Sequence, residues 1–360
     1  MRAVTFFDGT ALREGLLSWA PGRGPVVVDA PAPAGTPRLD GVITGRFTDH
    51  HVHLQLVDHT RLAASRLGRV TDLGADLDWI RAVAQRPGVH NSGEFGAKRP
   101  ETPADGRNRP DVPEKRTPQV EYAGPFLTAV GGYPSDREWA PAGSVREIAD
   151  ADDAATVVAA LASAGAACVK VVANSDAGPV LGDDLFRAIA QHAAARGLPL
   201  VAHAEGAGQA MRAIRLGAAR LAHAPFTERL TDDEIGEQAA TAEWISTMAV
   251  HDGDAYQNVV DNVRRFHAAG GRVLYGTDMG NGPTPVDVRN SEIAALRAAG
   301  IDGADLLCTM APEDPRDAAS ALLLLPDGDP SRSRPLTPED LTFDDRTPTT
   351  PKTPKTPTEP

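Results

Sequence analysis

The sequence predicts an α/β protein built on a (β/α)8 barrel of the TIM type, with a small β appendage at its N-terminus. Three observations carry this expectation. From residue 41 onward, short apolar runs alternate with alanine-rich stretches, the pattern of repeated βα units around a parallel sheet. Eight such runs fall within about 250 residues, a span that suits a closed barrel. The Gly-rich turn that follows the first strand of a dinucleotide-binding open sheet is missing.

The elements follow in order. Residues 1–40 carry β-like runs at 3–7 and 26–29, broken by Gly and Pro, and are read as the appendage; residues near 320–326 can complete it. Residues 41–310 are read as the barrel, with strands at 41–47, 69–73, 122–130, 167–172, 198–203, 220–223, 244–250 and 273–277. Between them, 152–164, 183–196 and 255–269 place apolar residues at three- and four-residue spacing, as amphipathic helices do. Two segments break the rhythm. Residues 92–121 are rich in Pro, Gly and charge, which predicts a long loop or a disordered insertion. Residues 327–360 end in Thr-Pro-Lys-Thr-Pro repeats and are read as a disordered tail, because they offer too little apolar surface to fold.

Composition narrows the function. Two fifths of the 360 residues are apolar, enough for a sizeable core. The formal charge of −13 argues against a nucleic-acid partner, since binding a phosphate backbone needs basic groups that release counterions. The two cysteines, Cys168 and Cys308, lie far apart and show no metal-like spacing, so a reducing cytoplasm is the expected compartment. No secretory leader is recognised, and no run approaches the roughly 18 apolar residues of a membrane helix. The expected partner is a small-molecule substrate, with neither nucleic acid nor membrane, in a chain that can pair with copies of itself.

Four signals carry chemistry. In Asp49-His50-His51-Val52-His53, His51 and His53 are two apart at a strand end, so in extended chain both face one side and can share a divalent ion. Alone, the spacing equally fits polar residues at a strand end. His203 and His223 each close a short apolar run, one βα unit apart; singly, either reads as a hydrogen-bonded core histidine. Their matching positions point to the face where barrel enzymes keep their sites. Asp278 ends the last apolar run and is either a helix cap or a ligand and proton acceptor. Lys170 sits inside Ala167-Cys-Val-Lys-Val-Val, where an isolated ammonium is costly to bury. It is either an interior salt-bridge partner or a lysine that has taken up carbon dioxide as a carbamate. Tyr133, Asn174 and His251 fall near the same rim as candidate substrate contacts.

In this order (His-x-His, Lys, His, His, Asp) the chain resembles the amidohydrolase superfamily, and more narrowly its imidazolonepropionase and prolidase-like branch. Arg69-Val-Thr-Asp-Leu-Gly, Gly124-Pro-Phe-Leu-Thr and Gly131-Gly-Tyr-Pro are similar to that branch's second- and third-strand signatures. The resemblance implies His51, His53 and Asp278 on one metal and His203 and His223 on a second, with carboxylated Lys170 bridging. It implies one or two divalent ions, zinc by preference for an imidazole-rich set. It also implies hydrolysis of an amide or cyclic C–N bond by a metal-activated hydroxide, with Asp278 handling the proton. The alternatives are a one-metal deaminase or an ester or lactone hydrolase of the same superfamily, and a ligand-binding barrel without turnover. The expected C-terminal Gly-Lys-x-Ala-Asp-Leu segment is reduced to a remnant at 321–330.

Overall fold

The computed structural model describes residues 1–20, 24–85, 117–317 and 321–342. The expected insertion falls largely outside these residues, as does the tail beyond residue 342.

The chain opens as an antiparallel meander of β1 (Arg2–Phe7), β2 (Leu12–Ala20) and β3 (Gly24–Val28). The turn from β1 to β2 is held by Asp8, whose carboxylate accepts from the Thr10 and Ala11 amides. β4 (Arg38–Thr44) then lies parallel to β1.

A different unit follows. It runs through β5 (Phe47–Val52), β6 (Leu67–Asp72), α1 (Leu77–Ala84), β7 (Gln119–Tyr122), β8 (Phe126–Ala129) and β9 (Val145–Ile148). It continues through α2 (Ala151–Ala164), β10 (Val169–Asn174), α3 (Asp183–Ala194), β11 (Leu200–Glu205), α4 (Gln209–Arg215) and β12 (Arg220–Leu221). It finishes with α5 (Asp232–Thr241), β13 (Glu243–Ile245), α6 (Gly253–Ala268), β14 (Arg272–Leu274), α7 (Asn290–Ala298) and α8 (Gly303–Met310). Every strand pair here is parallel, in the orders β5-β6-β7 and β14-β13-β12-β11-β10-β8-β9. The two sheets are hydrogen-bonded to each other at two seams. On one, the Ala167 amide donates to the Tyr122 carbonyl at 2.8 Å. On the other, the His50 and His53 amides donate to the Tyr275 and Met279 carbonyls at 3.0 and 2.7 Å.

Local chemistry sets the helix ends. Asp150 caps α2 through the Asp153 amide, and Gly165 closes it at φ +87°. Thr231 and Glu234 form a capping box at the start of α5. Helices pack on the sheet through large side chains, as where Trp244 of β13 stacks on Phe266 of α6 at 3.8 Å. Strands covered on both faces read as continuous apolar runs. That is why β10 is buried along its whole length, Lys170 included. Among the described residues no helix is long and apolar enough to cross a membrane.

Three expectations need correction. The first predicted strand, 41–47, is divided: its early residues belong to β4 in the small sheet, and the histidine motif lies on β5. The appendage therefore ends near residue 44 rather than 40. The third, 122–130, breaks at Gly124 (φ +82°) and Pro125, so that β7 pairs with β6 and β8 with β10. A strand at 119–122 and another at 145–148 are added. The tail also begins later than residue 327. After β15 (Leu323–Leu325) joins β4, β16 (Arg334–Pro335) folds back on β15, and Leu336 enters the small sheet's core. Scattered leucines (Leu336, Leu341) give this Pro-rich stretch an anchor that its composition conceals. Leu336→Asp should therefore cost about 2–3 kcal/mol in a denaturant titration; an unchanged midpoint would mean that the segment is not docked.

Candidate metal centre

Parallel strands deliver side chains to one end of the sheet, and six of the predicted residues meet there. His51 and His53 lie at the end of β5, Lys170 on β10 and His203 on β11, while His223 and Asp278 follow β12 and β14. All six line one cavity of ≈ 590 Å³. Ring centroids are 5.0 Å apart for His51 and His53, 4.7 Å for His51 and His223, and 4.8 Å for His203 and His223.

The innermost part is a convergence of lone pairs. Asp278 Oδ1 is 3.2 Å from His51 Nε2 and 3.1 Å from His53 Nε2, and those nitrogens are 3.1 Å apart. His51 Nδ1 lies 2.7 Å from the Ala222 carbonyl, which can only accept, so that nitrogen carries the ring proton. Burial holds the His51 imidazole well below its usual pKa, which leaves it neutral with Nε2 bare. Three acceptor atoms thus share at most one proton, on His53, at a buried point. His51, His223 and Asp278 each offer one ligand atom within 4.8 Å of the others. Two or three imidazoles and a carboxylate at this spacing fit a divalent cation.

The outer contacts orient these groups, as they do around bound metals. His223 Nδ1 is 2.9 Å from Thr247 Oγ1, and His203 Nε2 is 3.0 Å from Glu205 Oε2. The second nitrogen of each ring lies outside these contacts. Asn281 Nδ2 donates to Asp278 Oδ2 at 2.8 Å, which leaves Oδ1 for the histidines. Asp49, buried and pushed up to about 7, accepts from the Thr277 amide and hydroxyl and from the His51 amide. It ties the histidine strand to the residue before Asp278. Gly276, just before Thr277, leaves no room for a side chain: a Cβ there would meet Ile245 Cγ2 at 2.2 Å and His51 Cβ at 3.2 Å. Thr247 and Asp278 have left-handed φ of +40° and +53°, and strained backbone of this kind persists where packing over-determines it.

Charge in the site follows from burial. Burial pushes Asp278 upward, but His51, His53 and His223 more than offset it and hold the carboxyl well below the ordinary range. Burial also lowers His223 well below its usual value. Lys170 is 1% exposed, and burial brings its ammonium down to about 8 against the attraction of Asp278.

The three candidate substrate contacts divide. Tyr133 and His251 line the cavity. His251 stacks on Phe226 with centroids 4.0 Å apart, and its Nε2 is buried without a hydrogen-bond partner. Asn174 does not line it: Nδ2 donates to Glu205 Oε2 at 2.7 Å, and the side-chain carbonyl accepts from the Asp176 and Ala177 amides. It steadies Glu205 instead. Thr247, Asn281 and the wall residues Trp139 and Phe226 had no signal in the sequence, because nothing in their spacing ties them to the histidines.

A mixed α/β fold with a small N-terminal sheet and a histidine–carboxylate cavity at the ends of parallel strands defines the class. No known family profile and no curated protein matches the sequence. Solved structures do match in fold. A Xaa-Pro dipeptidase with bound methionine superposes with TM-score 0.62 at 14% identity, covering 91% of this chain and 93% of the other. An amidohydrolase superposes with TM-score 0.58 at 18% identity, covering 91% and 92%. Phenylurea hydrolase B gives 0.62 at 14% identity, with 91% of each chain covered. At these identities the likeness is one of fold.

Proposed function

We propose that the chain is a metal-dependent hydrolase of the amidohydrolase superfamily, that its two sheets form one closed (β/α)8 barrel, and that it cleaves a C–N bond in a small molecule. The convergence of His51 Nε2, His53 Nε2 and Asp278 Oδ1 on one buried point carries this reading. His51, His53 and Asp278 would hold one divalent ion, zinc by ligand type, and His203 and His223 a second. When bound, the metal acidifies water and polarises a carbonyl.

The chain's own groups do the rest. Asp278 takes the proton released by the attacking water and delivers it to the departing nitrogen. Tyr133 and His251 line the cavity and are the candidates to contact the substrate carbonyl. Lys170 is the candidate bridge. Its lowered pKa supplies free amine, whose lone pair can bond the carbon of carbon dioxide with loss of one N–H proton, leaving an anionic carbamate.

The test is metal content per chain after chelator-free purification with bicarbonate, together with turnover of an amide, an ester and an aminated heterocycle. About two ions and amide hydrolysis abolished by chelation are expected. About one ion with ammonia release would replace the reading with the deaminase-like one, and no ion with no turnover would end it.

A further inference from the structure

The walls of the cavity constrain the substrate beyond what the ligand cluster does. Phe126, Trp139 and Tyr133 form a continuous arc of rings. Phe126 is 5.4 Å from the His53 ring and 6.3 Å from Trp139; Trp139 is 6.1 Å from Tyr133, which is 6.0 Å from His203. The arc therefore runs beside the cluster from His53, just after β5, to His203 on β11. Trp139 is 44% exposed, and Leu56, Val172, Phe226 and Val250 complete the apolar lining.

Charge is as telling. Among the described lining residues the sole Lys or Arg is Lys170, which is deeply buried within the cluster itself. The other formal charges are the carboxylates of Glu205 and Asp278. Arg137, near in sequence, lies over the Tyr133 ring at 5.4 Å and 3.3 Å from Asp136, and does not line the cavity. A substrate carboxylate away from the reacting bond would meet rings and two like charges, with no cation among the described lining residues except buried Lys170 to receive it, a costly placement.

Resting on the hydrolase reading, we infer that the substrate is a neutral amide, carbamate or urea whose flat aromatic group seats on the Phe126–Trp139–Tyr133 arc, and that carboxylate-terminated dipeptides are discriminated against. Water adds its oxygen to the carbonyl carbon, the C–N bond breaks, and nitrogen leaves as an amine with the proton.

Three probes of the metal-loaded full chain isolate each part: N-acetylphenylalanine amide, N-acetylphenylalanine with its free carboxylate, and N-acetylalanine amide. The neutral phenyl compound should exceed the carboxylate about tenfold or more in kcat/KM. Trp139→Ala, a surface-side change that empties no core, should raise its KM roughly five- to tenfold and narrow its lead over the alanine amide. Equal or faster cleavage of the carboxylate would overturn the inference while leaving the hydrolase reading standing. Should none be cleaved, calorimetric binding decides the inference, and metal content with the wider substrate panel decides the hydrolase reading separately. Neutral phenyl binding weakened by Trp139→Ala upholds it, and stronger carboxylate binding, or no binding, overturns it.

Discussion

Replacing Asp278 by asparagine is expected to lower kcat/KM for amide hydrolysis by about 10³-fold, within the range for loss of a positioned proton acceptor. Asparagine is the right probe because it tolerates the left-handed backbone at φ +53°, where alanine would add strain. It also keeps an oxygen that can lie beside His51 and His53 while losing the negative charge. Metal content measured on the same preparation separates two roles. Activity lost with metal retained identifies the proton acceptor; activity and metal lost together identify the ligand. An Asp278→Asn enzyme with undiminished turnover would remove Asp278 from the chemistry.

Lys170→Met is expected to act in opposite directions on activity and on stability. In the metal-loaded enzyme it should remove the bridging group, lowering metal content from about two ions toward one and turnover by about 10²-fold or more. In metal-free, bicarbonate-free protein it should stabilise the fold. The sign follows from linkage. Burial lowers the folded pKa to about 8, against about 10.4 for an unfolded lysine. Below pH 8 both states hold the proton, and the folded state carries the full cost of a buried ammonium, about 3 kcal/mol. Between pH 8 and 10.4 the unfolded chain binds more protons than the folded one, so wild-type stability rises with pH and the variant's advantage shrinks. Denaturant titrations at pH 7 and pH 10 check this. A variant less stable at pH 7 would show that Lys170 is a net stabilising ion-pair partner, the salt-bridge reading of this lysine.

Much of the site could be read in the sequence because each strand of a parallel unit ends on the same face. His51 and His53 share a side by the two-residue period, and His203 and His223 close equivalent runs. The structure places all of them with Lys170 and Asp278 in one cavity. Strand boundaries were less legible. Residues 41–47 and 122–130 look like single strands because apolar residues stand on both sides of their breaks at Gly45 and Gly124-Pro125. The chain nevertheless changes sheets near Gly45 and bends at Gly124-Pro125. Leu336 was hidden by its proline-rich neighbours, since composition does not say whether one leucine finds a core.

What the sequence determined by itself is the alternation of apolar runs with helices and the six side chains that stand out in or at the ends of those runs; the role of ligand came from the family resemblance. Period and residue type are local, and survive without knowledge of any neighbour. Only the tertiary structure decided the rest: that Thr247 steadies His223, that Asn174 serves Glu205 rather than the cavity, and that Phe126, Trp139 and Tyr133 form one wall. These relations join residues brought together by different strands and loops, and their register is set by packing across the whole molecule. No local pattern along the chain encodes that.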